Sequence, residues 1–300
     1  MKYHCKQLSC VKFDLGEGLI WDNHSARLLM TDIMNGKLIE LDIDSNANRC
    51  WQFEEPLAWV LPTTTEKKYL LGLKSGIALF DIDNPDNIYW INRDFPGSNN
   101  CRLNDACVDS TGRVWYGSMN ILNPSATEGR LASFSEKDGL HIHDDGFTVT
   151  NGPVISPDGK FLFFNDTLKG TVYRYWLATD SGKLSDRQVF IKFSTDQGYP
   201  DGMCFDVEGT LWIALWGGSS IVQLDAKGKL LRKISIPALN VTNLCFCGSG
   251  FDRLLVSTAA IGLSKEESKR YPASGALFEI GDHHSAGAAS YPANLDPLWT

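Results

Sequence analysis

The segment Gly198–Gly218 carries the pattern that decides the fold, and it reads GYPDGMCFDVEGTLWIALWGG. It holds two apolar runs separated by a turn rich in acidic residues and glycine, which is typical of a β-hairpin. Pro200 and Gly202 flank Asp201, so the pattern predicts that this carboxylate lies on a tight, rigid turn with its side chain held in one direction. The alternative is that Asp201 only caps its own turn, as Asp before Gly often does.

Composition excludes several classes of protein. The chain has 300 residues, 43% of them hydrophobic and 21% charged, which is typical of a globular protein with a large core. A net charge of -8 without any cluster of Lys and Arg argues against a nucleic-acid partner. No apolar run is long enough to span a membrane, and the first residues lack the apolar core of a secretory signal. We therefore expect a cytoplasmic protein with no membrane partner, present as a monomer or a weak homo-oligomer.

The eight cysteines do not have the spacing of a metal site or a disulfide framework. Cys245 and Cys247 are the only close pair, and alternate positions on a strand are common. The sequence therefore predicts reduced and mostly buried thiols.

A short apolar run recurs six times along the chain and is followed each time by a turn and a second apolar segment. The first runs begin at Leu28, Tyr69, Val114, Phe161, Leu211 and Leu254. The second segments begin at Lys37, Ile77, Arg130, Thr171, Ser220 and Ala276. The period of about 40–50 residues is the range of four-stranded propeller blades. The sequence therefore predicts an all-β fold, a six-bladed β-propeller that forms a single domain over residues 1–300.

Two shorter segments complete this prediction. The N-terminal residues Tyr3 to Leu8 are expected to close the last blade, so that no sheet edge stays open. Residues Ser264 to Tyr271 are the only stretch with a helical pattern, in which Ser264 and Glu267 have the spacing of a capping box.

Oxygen-bearing side chains stand at equivalent places in four repeats, just before the first strand, namely at Glu17, Asn104, Asn151 and Asp201. Because the inner strands of a propeller converge on one channel, these side chains are expected to meet there. Two carboxylates with neutral oxygens suit a hard divalent cation such as Ca²⁺, Mg²⁺ or Mn²⁺, or Zn²⁺ with a carboxylate-rich shell. The alternative for each residue is an ordinary turn-former.

Longer motifs surround these residues. They are Gly16-Glu17-Gly18 with Trp21, Arg102-Leu103-Asn104-Asp105, Thr150-Asn151-Gly152, and Pro200-Asp201-Gly202 with Leu215-Trp216-Gly217-Gly218. In this order, and over nearly the whole chain, they resemble the motifs of the regucalcin (senescence marker protein 30) and gluconolactonase family of sugar lactonases. That resemblance implies a six-bladed propeller with one divalent metal ion in its channel.

The resemblance also implies an activity and a set of residue roles. The metal ligands of the family fall here on Glu17, Asn151 and Asp201, and its substrate-contacting pair falls on Arg102 and Asn104. The implied reaction is metal-dependent hydrolysis of a sugar lactone, a small molecule, to the open aldonic acid, with Asp201 as general base. The metal ion is left open among Ca, Zn, Mg and Mn. Relatives carry an acidic residue near the position of Asn120, and its absence here leaves the substrate open.

Two other functions compete with this interpretation. The same oxygen ligands fit a non-catalytic calcium-binding or regulatory protein, and a polarising metal would also serve a propeller phosphoesterase. No Ser-His-Asp arrangement is visible among the six histidines, which argues against a nucleophilic mechanism. Tyr199 and Trp216 are candidates for the pocket wall or, equally, for the core.

Overall fold

The structure is a computed structural model that describes residues 3–8, 12–93 and 99–295. These residues form 24 strands, grouped into six antiparallel sheets of four strands each. The innermost strand of each sheet packs against the innermost strands of its two neighbours, which closes a ring. The six-bladed β-propeller predicted from the repeats is confirmed.

We number the blades in the chain order of their innermost strands and give strands from the channel outwards. Blade 1 contains β2 (Gly16–Asp22), β3 (Arg27–Asp32), β4 (Lys37–Leu41) and β5 (Asn48–Gln52). Blade 2 contains β6 (Leu57–Pro62), β7 (Lys68–Leu73), β8 (Gly76–Asp81) and β9 (Ile88–Asn92). Blade 3 contains β10 (Cys101–Val108), β11 (Val114–Asn120), β12 (Gly129–Ser135) and β13 (Gly139–Phe147).

The other three blades follow the same plan. Blade 4 contains β14 (Thr150–Ile155), β15 (Phe161–Asp166), β16 (Thr171–Ala178) and β17 (Lys183–Lys192). Blade 5 contains β18 (Tyr199–Phe205), β19 (Leu211–Trp216), β20 (Ser220–Leu224) and β21 (Leu230–Ser235). Blade 6 contains β22 (Asn240–Cys247), β23 (Arg253–Ala259), β24 (Phe278–Gly281) and, as its outermost strand, β1 (His4–Gln7).

The two apolar runs of each repeat correspond to the second and third strands of a blade, and the second strands are almost entirely buried. The N-terminal strand pairs with β24 in antiparallel register, from His4 opposite Gly281 to Gln7 opposite Phe278. This pairing joins the N-terminal strand to the last blade and covers the edge of its sheet. The predicted closure by the N-terminal residues is confirmed.

The predicted helical turn is also present, as α1 (Lys265–Arg270). Ser264 accepts a hydrogen bond from the Glu267 backbone, and the Glu267 side chain accepts one from the Ser264 backbone, which completes the capping box. Among the described residues, no helix has the length and apolar character that crossing a bilayer requires.

The described cysteines are free thiols, as expected, but their burial is lower than predicted. Cys101 and Cys247 are fully buried, Cys50 is exposed and the others are half-buried. Cys10 lies outside the described residues.

A buried aspartate anchors the first hairpin of blade 5. Asp206 accepts hydrogen bonds from the Thr210 backbone and hydroxyl, from Trp212 Nε1 at 2.9 Å and from Gln223 Nε2 at 3.1 Å. The same contact recurs in blade 3, where Trp115 Nε1 donates to Asp109 at 2.8 Å. An acidic turn precedes the apolar strand in these two blades because its carboxylate accepts a hydrogen bond from the buried indole N–H of that strand.

Asp206→Ala is expected to lower the free energy of unfolding by about 2–4 kcal/mol, because it leaves the buried indole N–H of Trp212 without an acceptor and removes one of the two acceptors of Gln223 Nε2. Urea denaturation followed by circular dichroism measures the change. The control is Asp225→Ala, which removes a carboxylate that caps only its own turn, through the backbone N–H groups of Lys227 and Lys229. An equal loss in the two variants would contradict this role.

A β-bulge interrupts the innermost strand of every blade where it pairs with the second strand. In β2 the shift lies between Glu17 and Ile20, and in β18 it lies between Pro200 and Met203. A bulge leaves residues unpaired and increases the local twist, so it turns side chains away from the alternation of a regular strand. The six bulges form one level of the channel, and the predicted site residues lie at this level.

The C-terminal segment, residues 287–294, crosses the side of the ring where the innermost strands end, which we call the exit side. It starts at blade 5, where Gly287 bridges to Asp206, and reaches blade 2, where Ala293 pairs with Thr63. Ala293 and Leu295 are fully buried in the core between blades 2 and 3. Because blades 2 and 5 are opposite in a six-membered ring, this segment covers the channel.

Candidate functional site

The four oxygen-bearing residues singled out in the sequence lie together at the bulge level of the channel. Glu17 is on β2, Asn104 on β10, Asn151 on β14 and Asp201 on β18. All four are buried, with between 3% and 7% of their surface exposed. We call Glu17, Asn104, Asn151 and Asp201 the oxygen cluster.

The expectation that Asp201 lies on a tight turn is wrong. Asp201 is part of β18, where Pro200 pairs with Leu215 and Met203 pairs with Ile213, so Asp201 and Gly202 are the unpaired residues of a bulge. The Asp-Gly pair suggested a turn because a bulge and a turn favour similar residues. A strand of the inner ring, and not a turn, therefore carries the carboxylate.

The carboxyl group of Asp201 lies close enough to that of Glu17 for each to oppose ionisation of the other. Asp201 Oδ1 is buried and has no hydrogen-bond partner in the described part of the chain. Burial and the neighbouring charges of Glu17 and Asp105 raise the pKa of Asp201 well above its usual value. Burial and the charge of Asp105 likewise raise the pKa of Glu17, to about 7. Two such acids share one proton unless a cation lies beside them.

Arg102, the predicted substrate contact, is buried next to this pair. Burial lowers the pKa of Arg102 to about 10, and the charges of Glu17 and Asp201 oppose that shift. Its Nη1 donates to Asn104 Oδ1 at 2.5 Å and to the Leu103 carbonyl at 2.8 Å. Its Nε has no partner among the described residues, so the guanidinium keeps a donor for a further acceptor.

A chain of amides fixes the orientation of Asn151. Asn104 Nδ2 donates to Asn151 Oδ1 at 2.6 Å, and Asn151 Nδ2 donates to Thr167 Oγ1 at 3.0 Å. The amide nitrogen of Asn151 is thus directed at Thr167 and its oxygen at Asn104 of blade 3. In the same way, Asn165 Nδ2 of blade 4 donates to the Asp201 carbonyl of blade 5 at 2.6 Å. A side chain of the preceding blade therefore holds both residues.

Asp105 is a site residue that the analysis of the sequence missed. Its carboxylate accepts from the Gly152 N–H at 2.7 Å and from the Ala106 N–H at 2.8 Å, and burial raises its pKa to about 6. Gly152 has a left-handed φ of 50°, and a side chain there would also approach the Asp201 carbonyl to 3.0 Å. Asp105 therefore fastens the bulge that carries Asn151. The Asn104-Asp105 pair was the available signal.

The donor set fits a hard divalent cation. Glu17 and Asp201 supply two carboxylates, Asn151 supplies a carbonyl oxygen, and Asp201 Oδ1 is a buried acceptor that lacks a donor. In residues 3–8, 12–93 and 99–295, no three His, Cys, Asp or Glu side chains form a group that could hold a metal ion. A cation here therefore needs an amide ligand as well as the two acids.

A cavity of about 370 Å³ lies below the bulge level, on the exit side of the channel. Gly18, Asp105 and Asn243 form its polar end, and residues 288–291 of the C-terminal segment line it as well. The walls are mainly apolar side chains from all six innermost strands. The lining includes Gly18 and Asp105, which follow Glu17 and Asn104 in the chain, but none of the four residues of the oxygen cluster.

The neutral stretch around Asn120 has an acidic neighbour that the linear sequence did not show. Asn120 Nδ2 donates to Glu128 Oε2 at 3.2 Å. Glu128 reaches this position from the loop before β12 and is exposed. Tyr199 and Trp216, the other candidates, are opposite each other on β18 and β19 and are both half-buried, so neither is a core residue.

Comparison with known proteins gives the same architecture. Regucalcin of Gallus gallus is 28% identical over 295 residues, which cover 95% of this chain and 98% of that protein. A calcium-binding protein, regucalcin, from Agrobacterium tumefaciens has a similar structure, with a TM-score of 0.91, 23% identity, and coverage of 98% of this chain and 99% of the other. A gluconolactonase from Xanthomonas campestris has a TM-score of 0.75, 18% identity and coverage of 93% and 89%.

The two structural neighbours show the fold, and the family is shown by the sequence. The family model described as the SMP-30/Gluconolactonase/LRE-like region matches residues 15–260, well over half of the chain. This range contains the whole oxygen cluster and Arg102. The chain therefore belongs to the SMP-30/gluconolactonase/LRE-like family.

Proposed function

We propose that this protein is a metal-dependent hydrolase that opens a sugar lactone to the aldonic acid. The observation that carries the proposal is the buried pair of Glu17 and Asp201 beside Arg102, in which Asp201 Oδ1 lacks a donor. Membership in a family that includes gluconolactonases supports sugar lactone hydrolysis in general. The metal requirement and the residue roles below are proposals.

Glu17, Asn151 and Asp201 are the proposed metal ligands. A divalent cation bound there would act as a Lewis acid on the lactone carbonyl and would lower the pKa of a bound water. Ca²⁺, Zn²⁺, Mg²⁺ and Mn²⁺ all accept such oxygen donors, so the donor set leaves the ion open. A panel of aldonolactones assayed with each ion tests the proposal, and no turnover with any combination would reject it.

Asp201 is the proposed general base. Its free Oδ1 is an acceptor in a site from which the protein excludes most water, and a proton taken from the attacking water would be held there. Arg102 and Asn104 would bind the sugar hydroxyls or the oxyanion that develops from the carbonyl.

Arg102→Ala is expected to lower kcat/KM by an amount equivalent to about 1.5–3 kcal/mol, the usual scale of one charge-assisted hydrogen bond. The affinity for the divalent ion should be unchanged or tighter, because a positive charge close to Glu17 and Asp201 is removed. Steady-state kinetics and calorimetric ion titration measure the two effects. The control is Arg174→Ala, which removes an arginine that donates to Gln188 and stacks over Phe161 within blade 4.

A non-catalytic calcium-binding role is the second candidate, favoured by the description of the Agrobacterium neighbour as a calcium-binding protein. It predicts stoichiometric ion binding without lactone turnover, and an Arg102→Ala variant with no kinetic effect. Unchanged kinetics in Arg102→Ala would therefore support this role against hydrolysis. A small-molecule substrate, a cytoplasmic location and a monomeric or weakly oligomeric state remain parts of the proposal.

A further inference from the structure

Asn243 lies on β22 of blade 6, and its buried side chain contacts Glu17 across the channel wall. Its Nδ2 donates to Glu17 Oε2 at 3.0 Å. Its Oδ1 accepts from the N–H of Leu244 at 2.7 Å, so the amide is fixed with its donor towards the carboxylate. The same Glu17 oxygen also accepts from the Gly18 N–H at 3.0 Å. These two donors determine the plane of the Glu17 carboxylate.

Asn243 also contacts the chain that carries Asp201. A Cβ atom built on Gly202 would lie 2.4 Å from Asn243 Cγ and 2.6 Å from its Oδ1. Gly202 does not have the positive φ that favours glycine, so it is glycine because Asn243 occupies the space of its side chain. One amide therefore packs on Glu17 of blade 1 and on the residue after Asp201 of blade 5.

We propose that Asn243 is a positioning residue that sets the orientation of Glu17 and its separation from Asp201 in the cation site. This inference rests on the proposed function, because it assumes that the two carboxylates bind a divalent ion. Two acids without a fixed donor between them relax apart by rotating about their side-chain bonds. A donor that holds one of the two carboxylates reduces the rearrangement that these side chains must undergo when the ion binds. Removal of such an outer partner typically weakens metal affinity about 10–100-fold.

The test is titration of the full-length protein with Mn²⁺, followed by loss of the electron paramagnetic resonance signal of the free ion. Asn243→Leu keeps a similar volume against Gly202 but removes the donor to Glu17. Asn240→Leu is the matched control, since Asn240 lies on the same strand, is 5% exposed and donates only to the Ile261 carbonyl. We expect one Mn²⁺ per chain in the wild type, equal affinity in Asn240→Leu, and about 10–100-fold weaker affinity in Asn243→Leu.

The outcomes separate the positioning role from the proposed function. Wild-type affinity in Asn243→Leu overturns the positioning role and leaves the proposed function standing. A wild-type protein that binds no Mn²⁺ and, in calorimetric titration, no Ca²⁺, Mg²⁺ or Zn²⁺ overturns both. If Asn243→Leu does not fold, Asn243→Ala removes the same donor without adding bulk and should also weaken Mn²⁺ binding by at least about 10-fold. Unchanged affinity in Asn243→Ala would overturn the positioning role.

Discussion

Asp201→Asn is expected to lower kcat for lactone hydrolysis by about 10²-fold or more, the usual scale for loss of a general base. Asn has the shape of Asp but accepts no proton. Its amide can donate to the neighbouring Glu17 carboxylate and removes one of the two acidic groups that oppose each other's ionisation. The fold should therefore be retained, and the metal-free protein should unfold at the same or a higher temperature than wild type.

The measurement is steady-state kinetics at saturating ion, together with ion content and thermal unfolding of the same preparations. A purely structural role of Asp201 would not produce lost turnover together with retained stability. Asp201 makes no local turn bond that Asn would preserve, since it lies in the bulge of β18. Turnover within a few-fold of wild type would remove Asp201 from the catalytic machinery.

Removal of divalent ions with a chelator is expected to abolish turnover and to reverse the pH dependence of stability at the oxygen cluster. In the metal-free protein, burial raises the pKa of Glu17 to about 7 from a usual value of 4.5. Between these values the folded state keeps a proton that the unfolded chain has released, so folding stability falls as pH rises. A bound cation takes the place of that proton.

The unfolding temperature should therefore fall from pH 5 to pH 8 in EDTA, and added Mn²⁺ should raise it more at pH 8 than at pH 5. Thermal unfolding by circular dichroism at both pH values measures the difference. Glu17→Gln is the control, since it cannot ionise and should show a smaller fall in EDTA. Full turnover in excess EDTA, with the same unfolding temperature with and without ion, would be incompatible with a metal site here.

Most of the fold could be predicted from the repeat pattern, because each blade is formed by residues that are close in sequence. Each apolar run and its turn specify a hairpin within about 40–50 residues, and the hairpins recur at a constant period. The oxygen cluster could also be predicted from the sequence, since Glu17 and Asp201 occupy equivalent places in two repeats and equivalent places meet around the propeller axis. Local pattern was insufficient at Asp201 itself, where the residues of a bulge resemble those of a turn.

The sequence by itself determined the number of blades, the closing strand and the residues that face the channel. The tertiary structure alone decided which side chains hold those residues. Asn243 is 226 positions from Glu17, and Asp105 is 47 positions from Gly152. Such partners meet only when neighbouring blades pack together, and no periodicity along one blade encodes a contact with the next. Gly202 is the clearest case, because the reason for its glycine is the Asn243 side chain of another blade.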